Sequence, residues 1–248
     1  MSALIRDAEK ASFVQKAYPN VRVVEGDPDS SGVIEREVER ADIIYRKLKS
    51  REPPTLARAQ AIARGTQRHT PERPAFIIHT SGAGVTTYED FRNETWGIEH
   101  KKTFDDWEGI EEAVNLLDVV KHRNVDAAFL SLCREHADSV KTAIICPPLI
   151  YGPGRGPCNT TSMQAYWMSS IVLEREKGFL IGTGKTWISE IHFYDLINLE
   201  LQMGDAAISN DTTATWGSHG FYFAENGVWQ WGDMFHYLAK IAKDRGYI

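Results

Sequence analysis

Short apolar runs alternate with helix-patterned segments through the first half of the chain. That alternation limits the fold more than any other feature. Residues 2–6, 21–24, 41–45, 76–80 and 142–146 read as strands. Residues 8–17, 33–38 and 56–63 and the helix-rich stretch 111–133 lie between them. Strands separated by helices predict an α/β fold, a parallel sheet with helices on both faces. Gly26-Asp27-Pro28 closes the second run, and Ser81-Gly82-Ala83-Gly84 follows the fourth.

The second half is less regular. A Gly/Pro loop spans 152–159, a helix is expected over 163–174, and a short strand over 179–181. A polar loop over 205–220 precedes a strand at 221–224. Trp231, Met234, Phe235, Leu238, Ile241 and Ala242 recur at i, i+3, i+4 and i+7, so the C-terminus reads as an amphipathic helix.

The 248 residues are 42% apolar and 25% charged, the make-up of an ordinary globular chain. Net charge is −6, so no cationic excess exists to neutralise nucleic acid or an anionic membrane, and neither is expected as a partner. The three cysteines, Cys133, Cys146 and Cys158, are widely spaced, which argues against a disulfide framework and a metal site alike. The first ten residues lack the apolar core of a signal peptide, and no run approaches ~18 apolar residues. A cytoplasmic protein is expected, and the Asn93, Asn159 and Asn210 sequons are then chance matches.

Several motifs invite chemistry. Gly182-Thr183-Gly184-Lys185-Thr186 resembles a phosphate loop, but Phe179 stands where its first glycine belongs, so a turn is expected. Gly152-Pro153-Gly154-Arg155-Gly156-Pro157 is either a loop closing over a ligand or a surface turn. His122 and Asp126, four apart on an expected helix, would share a face, and the carboxylate would orient the imidazole as an acid or base. An exposed ion pair is the plainer reading of that spacing. Asp105-Asp106 reads as a solvated loop, and His79 and His192 as hydrogen-bonded core histidines.

An ordered set of segments adds to this: SALIRDAEKASFVQKAYPNVRVVEGD, ADIIY, FIIHTSGAG, KHRNVDAAFL, TAIICPPLIYGPGRGP, IHFYDL and GFYFAENG. Together they resemble the extended short-chain dehydrogenase/reductase superfamily, in particular its atypical epimerase/dehydratase-like and NmrA-like branch. The resemblance covers nearly the whole chain and implies a Rossmann-like fold.

The departures from the family pattern bear on function. Family members open with a strand, a GxxGxxG turn and a helix that hold a dinucleotide. No GxxGxxG occurs in this chain, and residues 3–6 resemble the family's second strand. With the first strand missing, residues 3–6 are expected to pair beside 41–45. Where the family has small residues under the adenosine, this chain has Arg46-Lys47-Leu48-Lys49-Ser50-Arg51. The family's Tyr-x-x-x-Lys corresponds to His122-Arg123-Asn124-Val125-Asp126, while Ser81 matches the serine that hydrogen-bonds the substrate oxygen.

The expectation is one trimmed Rossmann-like domain over 1–248, with a substrate lobe from about 152–170 and 187–248. His122, Asp126 and Ser81 are the candidate catalytic residues. Tyr151, Gln164, Tyr166, Trp167 and Trp187 are the candidate walls of an apolar small-molecule pocket. The expected function is cofactor-independent isomerase, cyclase or dehydratase chemistry in secondary metabolism. The alternatives are an NmrA-like regulatory binder and an NAD(P)-dependent reductase lacking its first strand. The sheet edge exposed by that gap makes a homodimer an expectation.

Overall fold

The computed structural model describes residues 1–27, 30–47, 56–117, 119–120, 122–209 and 212–248. The chain begins β1 (Ser2–Ile5), α1 (Ala8–Ala17), β2 (Arg22–Glu25), α2 (Ser31–Val38), β3 (Ile43–Lys47), α3 (Leu56–Gly65) and β4 (Ala75–Thr80). It continues α4 (Tyr88–Asn93), α5 (Ile110–Val114), α6 (Arg123–Glu135), β5 (Val140–Cys146), β6 (Leu149–Tyr151) and α7 (Met163–Arg175). It ends β7 (Trp187–His192), α8 (Phe193–Ser209), β8 (Phe221–Phe223), β9 (Val228–Gln230) and α9 (Trp231–Asp244).

The main sheet is parallel, in the order β3-β4-β5-β8. All of β4 is buried, as its unbroken apolar run demands of a strand covered on both faces. Side chains alternate across a strand, and neighbours Ile77 and Ile78 accordingly enter different cores. Ile77 joins Ile34, Val38, Ile62, Val125 and Phe129 beneath α2, α3 and α6. Ile78 joins Ile145, Ile191, Leu196 and Met203 beneath α8. The fold is α/β with helices on both faces of a parallel sheet.

A second sheet, β6-β7-β9, packs against α7 and α9 through Leu149, Met168 and Phe235. Of the segments expected to form a substrate lobe, β7, β9, α9 and the first part of α7 share that separate core, together with β6, which precedes the expected bounds. By contrast, β8 belongs to the main sheet and α8 to its covering layer.

Three expectations are corrected. First, β1 pairs in parallel with β2 and forms a two-stranded sheet apart from β3. The α1 crossover brings β1 and β2 side by side, while Leu4 and Ile44 meet the same apolar core through side chains and need no ladder. Second, residues 179–181 form no strand: Phe179 packs its ring on Phe235 at 4.1 Å, and Leu180 and Ile181 are exposed. Third, the polar loop begins later than expected, because α8 runs to Ser209 and buries Ala206 and Ala207. The stretch 111–133 is helix-rich as expected, with α5 and α6 separated by a connecting segment.

Candidate active site

Parallel strands deliver their C-terminal ends to one side of a sheet, where open α/β folds bind ligands. Here Thr80 and Ser81 end β4, Cys146 ends β5 and Phe223 ends β8. All four line a cavity of about 1560 Å3. Ser81, His122, Gln164 and Trp187 line it together, with Gly152 and Gly154 at its border.

Tyr151, Tyr166 and Trp167 are not among the lining residues. Tyr151 stacks edge-on against His192 at 5.1 Å. On α7, Gln164 faces the cavity and Met168 and Val172 face the core, so helical geometry turns Tyr166 and Trp167 to solvent. Trp187 is anchored by its Nε1, which donates to Glu99 Oε1 at 2.9 Å.

Behind the cavity floor lies a buried polar chain. Ser81 Oγ donates to Asp126 Oδ2 at 2.9 Å, and His79 Nε2 stands 3.0 Å from Asp126 Oδ1. A carboxylate can only accept, so the imidazole proton belongs on Nε2. That leaves Nδ1 to accept from Arg46 Nη1 at 3.2 Å. Burial holds the His79 imidazole below its ordinary pKa and outweighs the pull of Asp126. The same desolvation lowers Arg46 to about 10.

The expected pairing of His122 with Asp126 takes a different form. His122 has φ 71° and ψ −18° and only caps α6. The i, i+4 rule applies inside a helix, and His122 stands outside it. Asp126, in the first turn of α6, instead turns inward to Ser81 and His79. His122 meets Asp126 through the backbone, its carbonyl accepting the Asp126 N–H at 3.3 Å.

A second buried carboxylate braces the same strand ends. Glu200 on α8 accepts from Thr80 Oγ1 at 2.9 Å and from Lys47 Nζ at 2.5 Å. Arg46 and Lys47 are therefore both engaged within the protein, while residues 48–51 lie outside the described residues.

The Gly152–Pro157 loop is fixed by Arg155, whose guanidinium lies 3.8 Å over the Tyr194 ring. Asp105 organises its own turn, accepting backbone N–H bonds from Trp107, Gly109 and Glu108, and these hold its carboxyl below the usual range. Asp106 ties that loop to β8 by accepting from Phe223 N at 2.6 Å. Among the described residues, no cluster of three or more His, Cys, Asp or Glu suits a metal ion. None of the described helices is long and apolar enough to cross a membrane.

Sequence reasoning missed His79, Arg46 and Glu200 as members of the site's support. The alternation of β4 gives His79 and Ser81 one face, and that was the available signal for His79. Ser162 was missed too; it lines the cavity at the head of α7, with a buried Oγ that has no partner among the described residues.

The fold is shared with solved Rossmann-like epimerases and dehydratases. The chain resembles UDP-glucose 4-epimerase of Thermotoga maritima, solved with UDP-glucose, at a TM-score of 0.60 and 10% identity over 98% of this chain and 83% of that one. It also resembles dTDP-glucose 4,6-dehydratase of Bacillus anthracis, solved with NAD, at a TM-score of 0.54 and 14% identity over 92% of this chain and 66% of that one. Among characterised sequences it is similar to the oxidase ucsJ of an Acremonium species, 29% identical over 255 residues, which span this whole chain and 72% of that protein. No family model matches the chain.

No GxxGxxG turn occurs in the sequence. The turn from β1 into α1 carries Asp7, whose side chain accepts the Lys10 N–H at 3.0 Å and caps the helix. Arg46, at the end of β3, points its guanidinium at His79.

Proposed function

We propose that this chain is a cofactor-independent enzyme of isomerase, cyclase or dehydratase type acting on an apolar small molecule. It would be an atypical member of the epimerase/dehydratase-like group. The observation that carries the reading is Ser81: the residue lines a large cavity, and its hydroxyl is held by the buried Asp126. His122, on the same cavity, is the proton-transfer residue. Ser81 binds the substrate's polar group, Asp126 positions Ser81, and Gln164 and Trp187 shape the wall. The one-sided pairing of β1 and β3 among the described strands favours a homodimer.

A second reading rests on the resemblance to an oxidase and to a dehydratase solved with NAD: redox chemistry with a dinucleotide. Calorimetric titration with NAD(H) and NADP(H) separates the two. Millimolar or absent binding is expected, and a low-micromolar dissociation constant would establish the redox reading. Turnover is then sought by incubating a fungal metabolite extract with the protein and following mass-neutral or water-loss products. Conversion that persists after dialysis and fails in His122→Ala supports the proposal. Retention of a bound metabolite without conversion supports an NmrA-like binder instead.

A further inference from the structure

A second cavity, of about 510 Å3, lies between α5, α6, the start of β5 and the turn at Gly217–His219. Lys141, near the start of β5, lines it, while Cys146, at the end of the same strand, lines the candidate active site. Five residues of strand separate them by about 16 Å. The two cavities therefore stand at opposite ends of the main sheet.

The floor of this second cavity is apolar and fixed. Val114, Leu130 and Cys133 on its lining are buried, and Trp216 forms a wall. Trp216 packs edge-on against Phe76 at 5.0 Å, and Cys133 Sγ donates to Val140 O at 3.2 Å. Gly217, at φ 69°, brings the turn so close to α6 that a Cβ there would stand 3.1 Å from Cys133 Sγ.

Charge on the lining has one sign. Arg134 and Lys141 are its charged residues, in a chain of net charge −6. Lys141 Nζ donates to Ala137 O at 2.6 Å, which holds the ammonium at the rim and leaves it two further protons. Among the described residues the Arg134 guanidinium has no hydrogen-bond or ion-pair partner, and the adjacent Glu135 accepts from Ser131 Oγ at 2.8 Å. An apolar floor with two cationic donors at its edge complements an apolar body that ends in a carboxylate. A small inorganic anion would leave the floor unused, and a neutral hydrocarbon would leave the two cations unused.

We infer that this cavity is a second ligand site, apart from the candidate active site, and that it takes an apolar monocarboxylate. The body lies against Leu130 and Trp216, and the carboxylate meets Arg134 and Lys141. The inference is independent of the reaction proposed for the other cavity.

The test uses 1-naphthoate against 1-naphthamide, the same ring system with and without the charge. Binding to the full chain is followed at the Trp216 indole N–H by NMR, the resonance being identified by its loss in Trp216→Phe. In the wild type 1-naphthoate should move this resonance and bind about tenfold tighter than the amide, the ratio a charge-assisted hydrogen bond supplies at a rim open to water. Arg134→Gln, at an exposed position of α6, should bring the two probes to within about twofold. Ala137→Phe should block both by filling the site. His122→Ala, on the other cavity, should leave both affinities unchanged. Equal binding of the two probes to the wild type would overturn the inference, as would a carboxylate preference that survives Arg134→Gln. A Trp216 resonance unmoved by millimolar 1-naphthoate would overturn it as well, and binding abolished by His122→Ala would assign the carboxylate to the candidate active site instead.

Discussion

His79 Nε2 and Asp126 Oδ1 meet at 3.0 Å at a depth where each side chain is 1% exposed. The imidazole is neutral there because burial lowers its pKa from 6.5. In the unfolded chain it titrates at its ordinary value. Below pH 6.5 the unfolded state therefore binds a proton that the folded state refuses, and stability falls as pH drops from 6.5 towards the lowered folded value. Above pH 6.5 this contribution is constant. Thermal melts from pH 7.5 down to 5 should decline, and the decline should be shallower in His79→Gln. Equal slopes in the two proteins would refute the assignment of a neutral His79.

Glu200 gives a second measurable contrast. Glu200→Ala leaves the buried Thr80 hydroxyl without its partner, at a cost of about 1–3 kcal/mol in urea denaturation. Lys47→Ala should cost less, because the Lys47 side chain is half exposed and Glu200 keeps Thr80. Equal losses would place the stabilisation in the ion pair.

Once a substrate is in hand, His122→Ala should reduce kcat by roughly 10²–10⁴-fold with KM little changed, the usual share of acid–base assistance. A wild-type kcat would make the residue structural. Asp126→Asn should act through Ser81, moving KM for the substrate's polar group more than kcat.

Gly152 has φ 89°, and a Cβ there would run into the His192 ring. Gly152→Ala should therefore destabilise by about 1–3 kcal/mol, the usual cost of a strained backbone position. It should also weaken ligand binding, since the loop borders the cavity. Chemical denaturation of the variant measures the first effect.

The sheet was legible because its strands are continuous apolar runs too short for helices, and β4 is the clearest of them. The i, i+4 spacing of His122 and Asp126 misled because a sequence pattern does not show where a helix starts; one left-handed residue separates the two courses. The Glu200 brace was invisible for another reason. Residues 153 apart in the chain meet when α8 crosses the main sheet, and local periodicity holds no information on that contact. Likewise Tyr166 and Trp167 carry the composition of a pocket wall, but the turn of α7 faces them outward.

The separation of β1 and β2 from the main sheet bears on how the molecule opens. Backbone hydrogen bonds within a sheet bind its strands into one cooperative unit, whereas side-chain packing alone couples elements more weakly. Residues 1–27 meet the rest mainly through contacts such as Leu4 on the core under α2 and α3 and the Arg22–Glu37 ion pair. They should open as a unit of their own. The amides of Leu4 and Val24 should exchange with deuterium by a local opening, at a lower free energy than those of Ile77 and Ile144, which exchange only when the whole sheet comes apart.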